Sequence, residues 1–280
     1  MQDRIRLDDQ VAIVTGAGSR EAAADASDIG INVGNGRAIA TLLARRGAKV
    51  LLLDIERSWL DATERMIREE GGTCASAICD VSSAKDCAAA VAEAARLWGR
   101  LDILVNNVGL SGPPGDATTV DPEAWDHGMA VNVKSVMLMA KYAVPEMRKQ
   151  GAGAIVNLAS IAGLLGGHAG LLYPTTKGAI VQMTRAMAAH HGKDLIRVNA
   201  VAPGYVYTPM VAVRMSPELR QQRATAGLLK IEGSAWDVAE AACFLASPAA
   251  RWITGVTIPV DAGRSAGHAS ASPTPSGETR

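Results

Sequence analysis

Residues 11–19 read VAIVTGAGS and residues 34–46 read GNGRAIATLLARR. Val11–Val14 is a short apolar run that breaks into Thr15-Gly16-Ala17-Gly18-Ser19. Gly34-Asn35-Gly36 then stands ahead of a helical stretch, Arg37–Arg46, which closes on two arginines and Gly47. Cations suit the negative end of a helix dipole, and glycine turns left-handed without steric cost. Glycines between a strand and a helix N-terminus let backbone amides approach a pyrophosphate, which the dipole also favours. Gly16, Ser19, Gly34, Asn35 and Gly36 are therefore the candidate phosphate contacts.

The same alternation continues outward from this unit. Lys49–Leu53 is a buried run closing on Asp54, and Ser58-Trp-Leu-Asp61 reads as a capping box for a helix to Glu70. Thr73–Ile78 runs into Cys79-Asp80, and a second box, Ser83 to Asp86, opens an Ala-rich helix to Leu97. Ile103–Val105 leads to Asn106-Asn107-Val108-Gly109. Asp121-Pro122 then supplies a cap with proline at the first helical position, and one long helix is expected toward Gln150. Ala154–Leu158, a helix over Tyr173–His190, Ile196–Val201, a helix capped by Ser234-Ala-Trp-Asp237, and Val256–Val260 complete the series. Short strands apolar on both faces, alternating with helices, predict a single α/β domain over residues 1–263. Its core is a Rossmann-type, doubly wound parallel sheet of about seven strands with helices on both faces. The Ser/Ala/Pro/Gly-rich residues 264–280 are expected to form a flexible tail.

Composition narrows the function. The 280 residues are 48% hydrophobic and 20% charged, with 28 basic against 28 acidic side chains. No clustered basic excess marks a nucleic-acid binder, and 4% aromatic content gives no base-stacking platform. No apolar run reaches the roughly 20 residues of a membrane helix. The start has no signal-like stretch, and the four cysteines form no CxxC pair. A cytoplasmic protein with no metal, no nucleic acid and no membrane among its partners is expected.

Tyr173-Pro-Thr-Thr-Lys177 carries the chemistry. Positions i and i+4 share a helix face, so a phenol and an ammonium address one point. A neighbouring cation stabilises the phenolate and lowers its pKa, which suits Tyr173 to acid/base work. Ser160, at the end of Ala154–Ala159, is placed to bond the same substrate oxygen. Asp54, ending the second strand, is placed to accept hydrogen bonds from an adenosine ribose.

Together these segments resemble the short-chain dehydrogenase/reductase family over roughly Leu7 to Gly263. The likeness is carried by TGAGS…GNG, Asp54, CDV at 79–81, NNVG at 106–109, Asn132 in VNV, Ser160, YPTTK, PGYVYTP at 203–209 and ITGVTIPVDAG. The resemblance implies that Tyr173 is the general acid/base and that Lys177 lowers its pKa and binds the nicotinamide ribose. It implies that Ser160 orients the substrate oxygen and that Asn132, inside the long helix, holds a water in a proton relay to Lys177. Asp80 and Val81 would meet the adenine, and Asn106 and Gly109 would line the adenosine side of the cleft. Pro203, Gly204, Val206 and Thr208 would hold the carboxamide and diphosphate. Three features depart from the family pattern. Residues Arg20–Val33 interrupt the glycine motif, Pro174 follows Tyr173, and DAG replaces the usual DGG.

The resemblance thus implies an oxidoreductase interconverting a secondary alcohol and a ketone with a nicotinamide cofactor. The alternative is a non-catalytic dinucleotide sensor, against which the complete set Asn132, Ser160, Tyr173 and Lys177 speaks. Asp54 favours NAD over NADP, while Arg20 and Arg57 are the cations able to pair with a 2′-phosphate. A homotetramer or homodimer is expected by resemblance, with Met137, Met139, Val144, Trp252, Ile253 and Ile258 as candidate contacts. The Arg20–Val33 excursion is expected to lie as a flap over the diphosphate and adenosine half of the cofactor, the alternative being a solvent-exposed loop without a role.

Overall fold

The protein is described by a computed structural model covering residues 4–20, 33–212 and 215–267. The flap expected within Arg20–Val33 and the tail beyond residue 267 lie outside the described residues. In chain order the elements begin β1 (Val11–Thr15), α1 (Asn35–Arg45), β2 (Lys49–Asp54), α2 (Arg57–Glu69), β3 (Thr73–Ile78), α3 (Ala84–Trp98) and β4 (Ile103–Asn106). Then come α4 (Pro122–Met129), α5 (Ser135–Gln150), β5 (Gly153–Leu158), α6 (Leu172–His191) and β6 (Ile196–Pro203). The last are α7 (Pro209–Ala212), α8 (Pro217–Ala224), α9 (Ala235–Ala246) and β7 (Thr257–Val260).

The seven strands form one sheet in the order β3-β2-β1-β4-β5-β6-β7, and every pairing is parallel. Successive residues of a strand point to opposite faces, and both faces are covered. Val14, Leu52, Ile103 and Val156 pack with Ile39 and Leu43 of α1 and with α9. Their neighbours Ile13, Leu51, Leu104 and Ile155 pack with α3 and α5 on the other side. Strand order reverses between β1 and its two neighbours, β2 and β4, which opens a crevice at the carboxyl ends of the strands.

Helix ends follow the sequence signals with one exception. Asp121, Ser83 and Ser234 cap α4, α3 and α9, and Ser234 with Asp237 makes a full capping box. At α2 the expected Ser58–Asp61 box does not form. The helix starts two residues earlier, at Arg57, and Glu56 is the cap, its carboxylate accepting from both the amide and the hydroxyl of Ser58. Helix α9 has no basic residue in its last turn. Arg197 of β6 supplies the missing cation, donating to the carbonyls of Leu245 at 2.7 Å, Ala246 at 3.2 Å and Ser247 at 3.2 Å.

The long helix expected from Pro122 to Gln150 is interrupted. Ala130–Lys134 forms a π-helical turn between α4 and α5. Such turns cluster at functional sites because the widened backbone redirects a side chain. Here the redirected residue is Asn132, fully buried.

Candidate active site

Three elements converge at the crevice. Tyr173 and Lys177 lie in the first two turns of α6, Ser160 follows β5, and Asn132 sits in the π turn. Ser160 leads into a tight turn, Ile161–Gly163, whose hydrogen bond from the Ala162 amide to Ser160 Oγ measures 3.2 Å. That turn rests on α6 because Gly163 has no side chain, since a Cβ there would lie 2.5 Å from the Lys177 carbonyl carbon. The contact brings the Ser160 hydroxyl toward the Tyr173 phenol, where it acts to lower the phenol's pKa.

Lys177 is 3% exposed, and its ammonium donates to the Leu158 carbonyl at 2.7 Å. An ammonium carries three donors, so two remain for a ligand. Gly109 keeps the approach open, since a Cβ there would lie 3.1 Å from Nζ. Burial pulls Lys177 down to about 8. Nζ stands 5.7 Å from the Tyr173 ring centroid. The sequence reading has this cation lowering the phenol. In the structure burial dominates and raises the Tyr173 pKa, and the Ser160 hydrogen bond opposes that rise.

Asn132 joins both sides of the crevice. Its Oδ1 accepts from the Leu110 amide at 2.7 Å, and its Nδ2 donates to the Leu110 carbonyl at 2.8 Å and to Thr176 Oγ1 at 3.0 Å. Thr176 Oγ1 in turn donates to the Tyr173 carbonyl at 2.8 Å. Asn132 is thus bonded to the helix that carries both Tyr173 and Lys177.

The glycine-rich segment fits a dinucleotide diphosphate. Gly16 has φ +62°, a left-handed conformation suited to glycine, and a Cβ on Gly36 would lie 1.9 Å from the Gly16 carbonyl oxygen. Helix α1 has no side-chain cap and no acid in its first turn, so its leading amides are left for an anion. Asn35 stands there with Oδ1 buried and without a partner among the described residues. Ser19 Oγ accepts from the Gly34 amide at 3.0 Å across the excursion.

Asp54 lies beside this loop. Oδ2 accepts from the Gly18 amide at 3.0 Å and Oδ1 from the Ile55 amide at 2.8 Å, which fixes the carboxylate and leaves lone pairs on each oxygen. Burial raises its pKa. Arg20 stacks over Trp59 at 5.5 Å, while Arg57 donates to Ser76 Oγ at 2.6 Å and lies 3.8 Å from Asp61.

The other expected contacts divide. Val81 is buried three residues beyond β3, and exposed Asp80 takes both the amide and the hydroxyl of Ser82 on Oδ1. Pro203 ends β6, Gly204 is pressed against Asp261, Val206 pairs with Gly233, and the Thr208 carbonyl accepts the Val211 and Ala212 amides. Two positions need correction. Gly109 lies against Lys177, on the catalytic side of the cleft rather than the adenosine side, because the chain after β4 turns toward α6. The Asn106 side chain does not line the cleft. Its Nδ2 donates to Asn157 Oδ1 at 2.9 Å, and Asn157 donates to Thr184 at 3.0 Å, a buried ladder between β4, β5 and α6.

Several residues escaped the sequence reading. Asn107 ties β4 to the glycine loop, donating from Nδ2 to the carbonyls of Thr15 at 3.1 Å and Gly16 at 3.0 Å. Arg37, 7% exposed, donates to Thr63 Oγ1 and to the carbonyls of Ser19 and Trp59, and Thr63 donates to the Ala17 carbonyl. The NN pair and the arginine after GNG were the available signals, but neither type nor spacing says where such side chains turn. His168, which the sequence places on a loop bordering the pocket and which reads there as a partly exposed loop histidine, lies against Tyr173 with ring centroids 5.1 Å apart. Among the described residues no group of His, Cys, Asp or Glu is arranged to hold a metal.

Comparison with known proteins agrees with this fold. Residues 30–265 match the family profile described as Enoyl-(Acyl carrier protein) reductase. The 2-(R)-hydroxypropyl-CoM dehydrogenase of Xanthobacter autotrophicus is 38% identical over 256 residues, covering 90% of this chain and 97% of that protein. A short-chain dehydrogenase/reductase structure from Burkholderia xenovorans superposes with TM-score 0.85 at 39% identity, covering 94% of this chain and 99% of that one. A 7α-hydroxysteroid dehydrogenase complexed with NADH and 7-oxo glycochenodeoxycholic acid superposes with TM-score 0.85 at 31% identity, covering 94% and 98%. A parallel Rossmann-type sheet shared with these hydroxy-group dehydrogenases is that of an oxidoreductase. The chain belongs to the short-chain dehydrogenase/reductase family.

Proposed function

We propose that the protein interconverts a secondary alcohol and a ketone with NAD, using Tyr173 as the general acid/base. The observation that carries this reading is the buried ammonium of Lys177 on the same helix face as Tyr173, with the Ser160 hydroxyl acting on the phenol. The hydroxy-compound dehydrogenases among its relatives support it.

A bound nicotinamide dinucleotide supplies or accepts the hydride. The protein's own groups manage the oxygen and its proton. Ser160 and Tyr173 hold the substrate oxygen, and in oxidation Tyr173, as the phenolate, takes the hydroxyl proton as the carbonyl forms. In reduction the phenol returns it. Lys177 holds the ribose hydroxyls with its two unused donors and stabilises the phenolate. Asn132 fixes the Leu110 backbone and, through Thr176, the first turn of α6. In this reading it also keeps a water for the proton relay to Lys177. Gly16, Ser19, Gly34, Asn35 and Gly36 hold the diphosphate, Asp54 the adenosine ribose, and Asp80 and Val81 the adenine edge. Pro203, Gly204, Val206 and Thr208 form the nicotinamide side.

The preference for NAD rests on Asp54. Its carboxylate, held at the end of β2 by two backbone amides, accepts from a free 2′-hydroxyl and repels a 2′-phosphate. Arg57 is engaged with Ser76 and Asp61. Nicotinamide absorbance with a panel of cyclic and aromatic secondary alcohols tests the reaction. The ratio of kcat/KM for NAD and NADP tests the cofactor, and a clear NADP preference overturns that choice.

A homotetramer or homodimer in the cytoplasm belongs to the same proposal. Met139 and Val144 are buried in the chain's own core, and Ile253 and Ile258 pack against it, which leaves Met137 and the 91% exposed Trp252 as apolar surface. No described helix is long and apolar enough to cross a membrane, and all four cysteines are unpaired. Light scattering that gives only a monomer overturns the assembly.

A further inference from the structure

The loop between β5 and α6 is built rather than loose. Gly170 pairs with Gly115 in a short parallel bridge, and the Leu171 amide donates to the Gly115 carbonyl at 2.9 Å. A Cβ on Gly170 would lie 2.8 Å from the Pro113 carbonyl oxygen, so the two loops meet backbone to backbone. His168 is held on this platform at two points. Its ring lies 5.1 Å from the Tyr173 ring, inclined by 32°. Its Nδ1 lies 3.1 Å from both backbone polar atoms of Gly170, and the Gly170 amide donates to it.

A ring nitrogen that accepts from an amide carries no hydrogen, so in the neutral imidazole Nε2 is the N–H donor. Nε2 has no hydrogen-bond partner among the described residues, and the ring is exposed. The same loop presents Leu164, Leu165 and Leu171, each about two-fifths exposed. A polar donor in an apolar rim, packed on the residue that handles the reacting oxygen, is placed to read the group next to that oxygen. A hydrogen bond counts for more where neighbouring surface excludes water.

We infer that His168 selects the substrate: its Nε2–H donates to a carbonyl or carboxylate oxygen on a carbon adjacent, or next but one, to the carbinol. The preferred substrates are then hydroxy-ketones or hydroxy-acids rather than plain alcohols. This rests on the dehydrogenase reading above and deepens it.

The test uses matched pairs of substrates, such as cyclohexanol with 2-hydroxycyclohexanone and 2-butanol with 3-hydroxy-2-butanone. The full-length protein is compared with His168→Phe, which keeps a flat ring on Tyr173, and with His168→Gln, which restores an N–H donor. His168→Phe should lower kcat/KM about tenfold for the carbonyl-bearing member, mainly through KM, with little change for the plain alcohol. His168→Gln should recover most of that loss. Equal losses on both members, or no loss on either, would show His168 to be structural or idle and overturn the inference alone. Absence of turnover by the wild type across a broad panel with both dinucleotides would overturn the dehydrogenase reading, and this inference with it.

Discussion

Asn132 and Leu110 form a closed pair: the amide side chain accepts from the Leu110 N–H at 2.7 Å and donates to its carbonyl at 2.8 Å. A side chain thereby replaces a strand partner for a backbone segment that has left β4. Asn132→Ala removes both bonds and leaves two partly buried backbone groups unpaired. A loss of about 2–4 kcal/mol is expected, together with lower turnover. Denaturant unfolding of the variant reads the first, and a stability equal to wild type would show that water replaces the side chain without cost.

Tyr173→Phe keeps the ring against His168 and removes the phenol oxygen. Turnover should fall at least about 100-fold, while the dinucleotide dissociation constant stays near the wild-type value. Steady-state rates and fluorescence titration separate the two. Wild-type turnover in this variant would assign the proton transfer elsewhere.

Gly36→Ala places a methyl where the Gly16 carbonyl oxygen stands, 1.9 Å from the ideal Cβ position. The loop or α1 must shift, which costs about 1–3 kcal/mol and spoils the phosphate cradle. The expected result is a lower Tm and a dinucleotide affinity reduced more than about tenfold. If both stay unchanged, the close approach does not matter.

Lys177 makes a prediction about pH. Its folded pKa, about 8, lies below the ordinary 10.5. Below about pH 8 both the folded and unfolded states hold the proton, and the full cost of the buried charge is present. Between 8 and 10.5 the folded state releases the proton first, so the cost shrinks as pH rises. Relative to Lys177→Met, the cofactor-free wild type should therefore gain about 3 kcal/mol across that interval. Urea unfolding at several pH values measures the difference, and parallel curves for the two proteins would contradict it.

What the sequence determined is local and periodic. Strand runs apolar on both faces, separated by helices of matching length, specify a parallel sheet, because hydrophobic spacing and capping act over a few residues. The glycines of 16–18 and 34–36 mark the turn into α1, since only residues without a Cβ allow that approach. The i, i+4 spacing of Tyr173 and Lys177 places them on one helix face before any packing is known. Tertiary structure decided the rest. Ser160 meets Tyr173 because Gly163 lets a turn rest on α6, and Asn132 reaches Leu110 because a π turn breaks the long helix. Neither is visible in spacing. The side chain of Asn106 turns into the sheet while Asn107 braces the glycine loop, though the two are adjacent and identical in type. The charge state of the site depends on burial, and this is why the phenol shifts up where its neighbouring cation alone would have shifted it down. Burial sums contributions from residues far apart in the chain, so it is fixed only when the elements have packed.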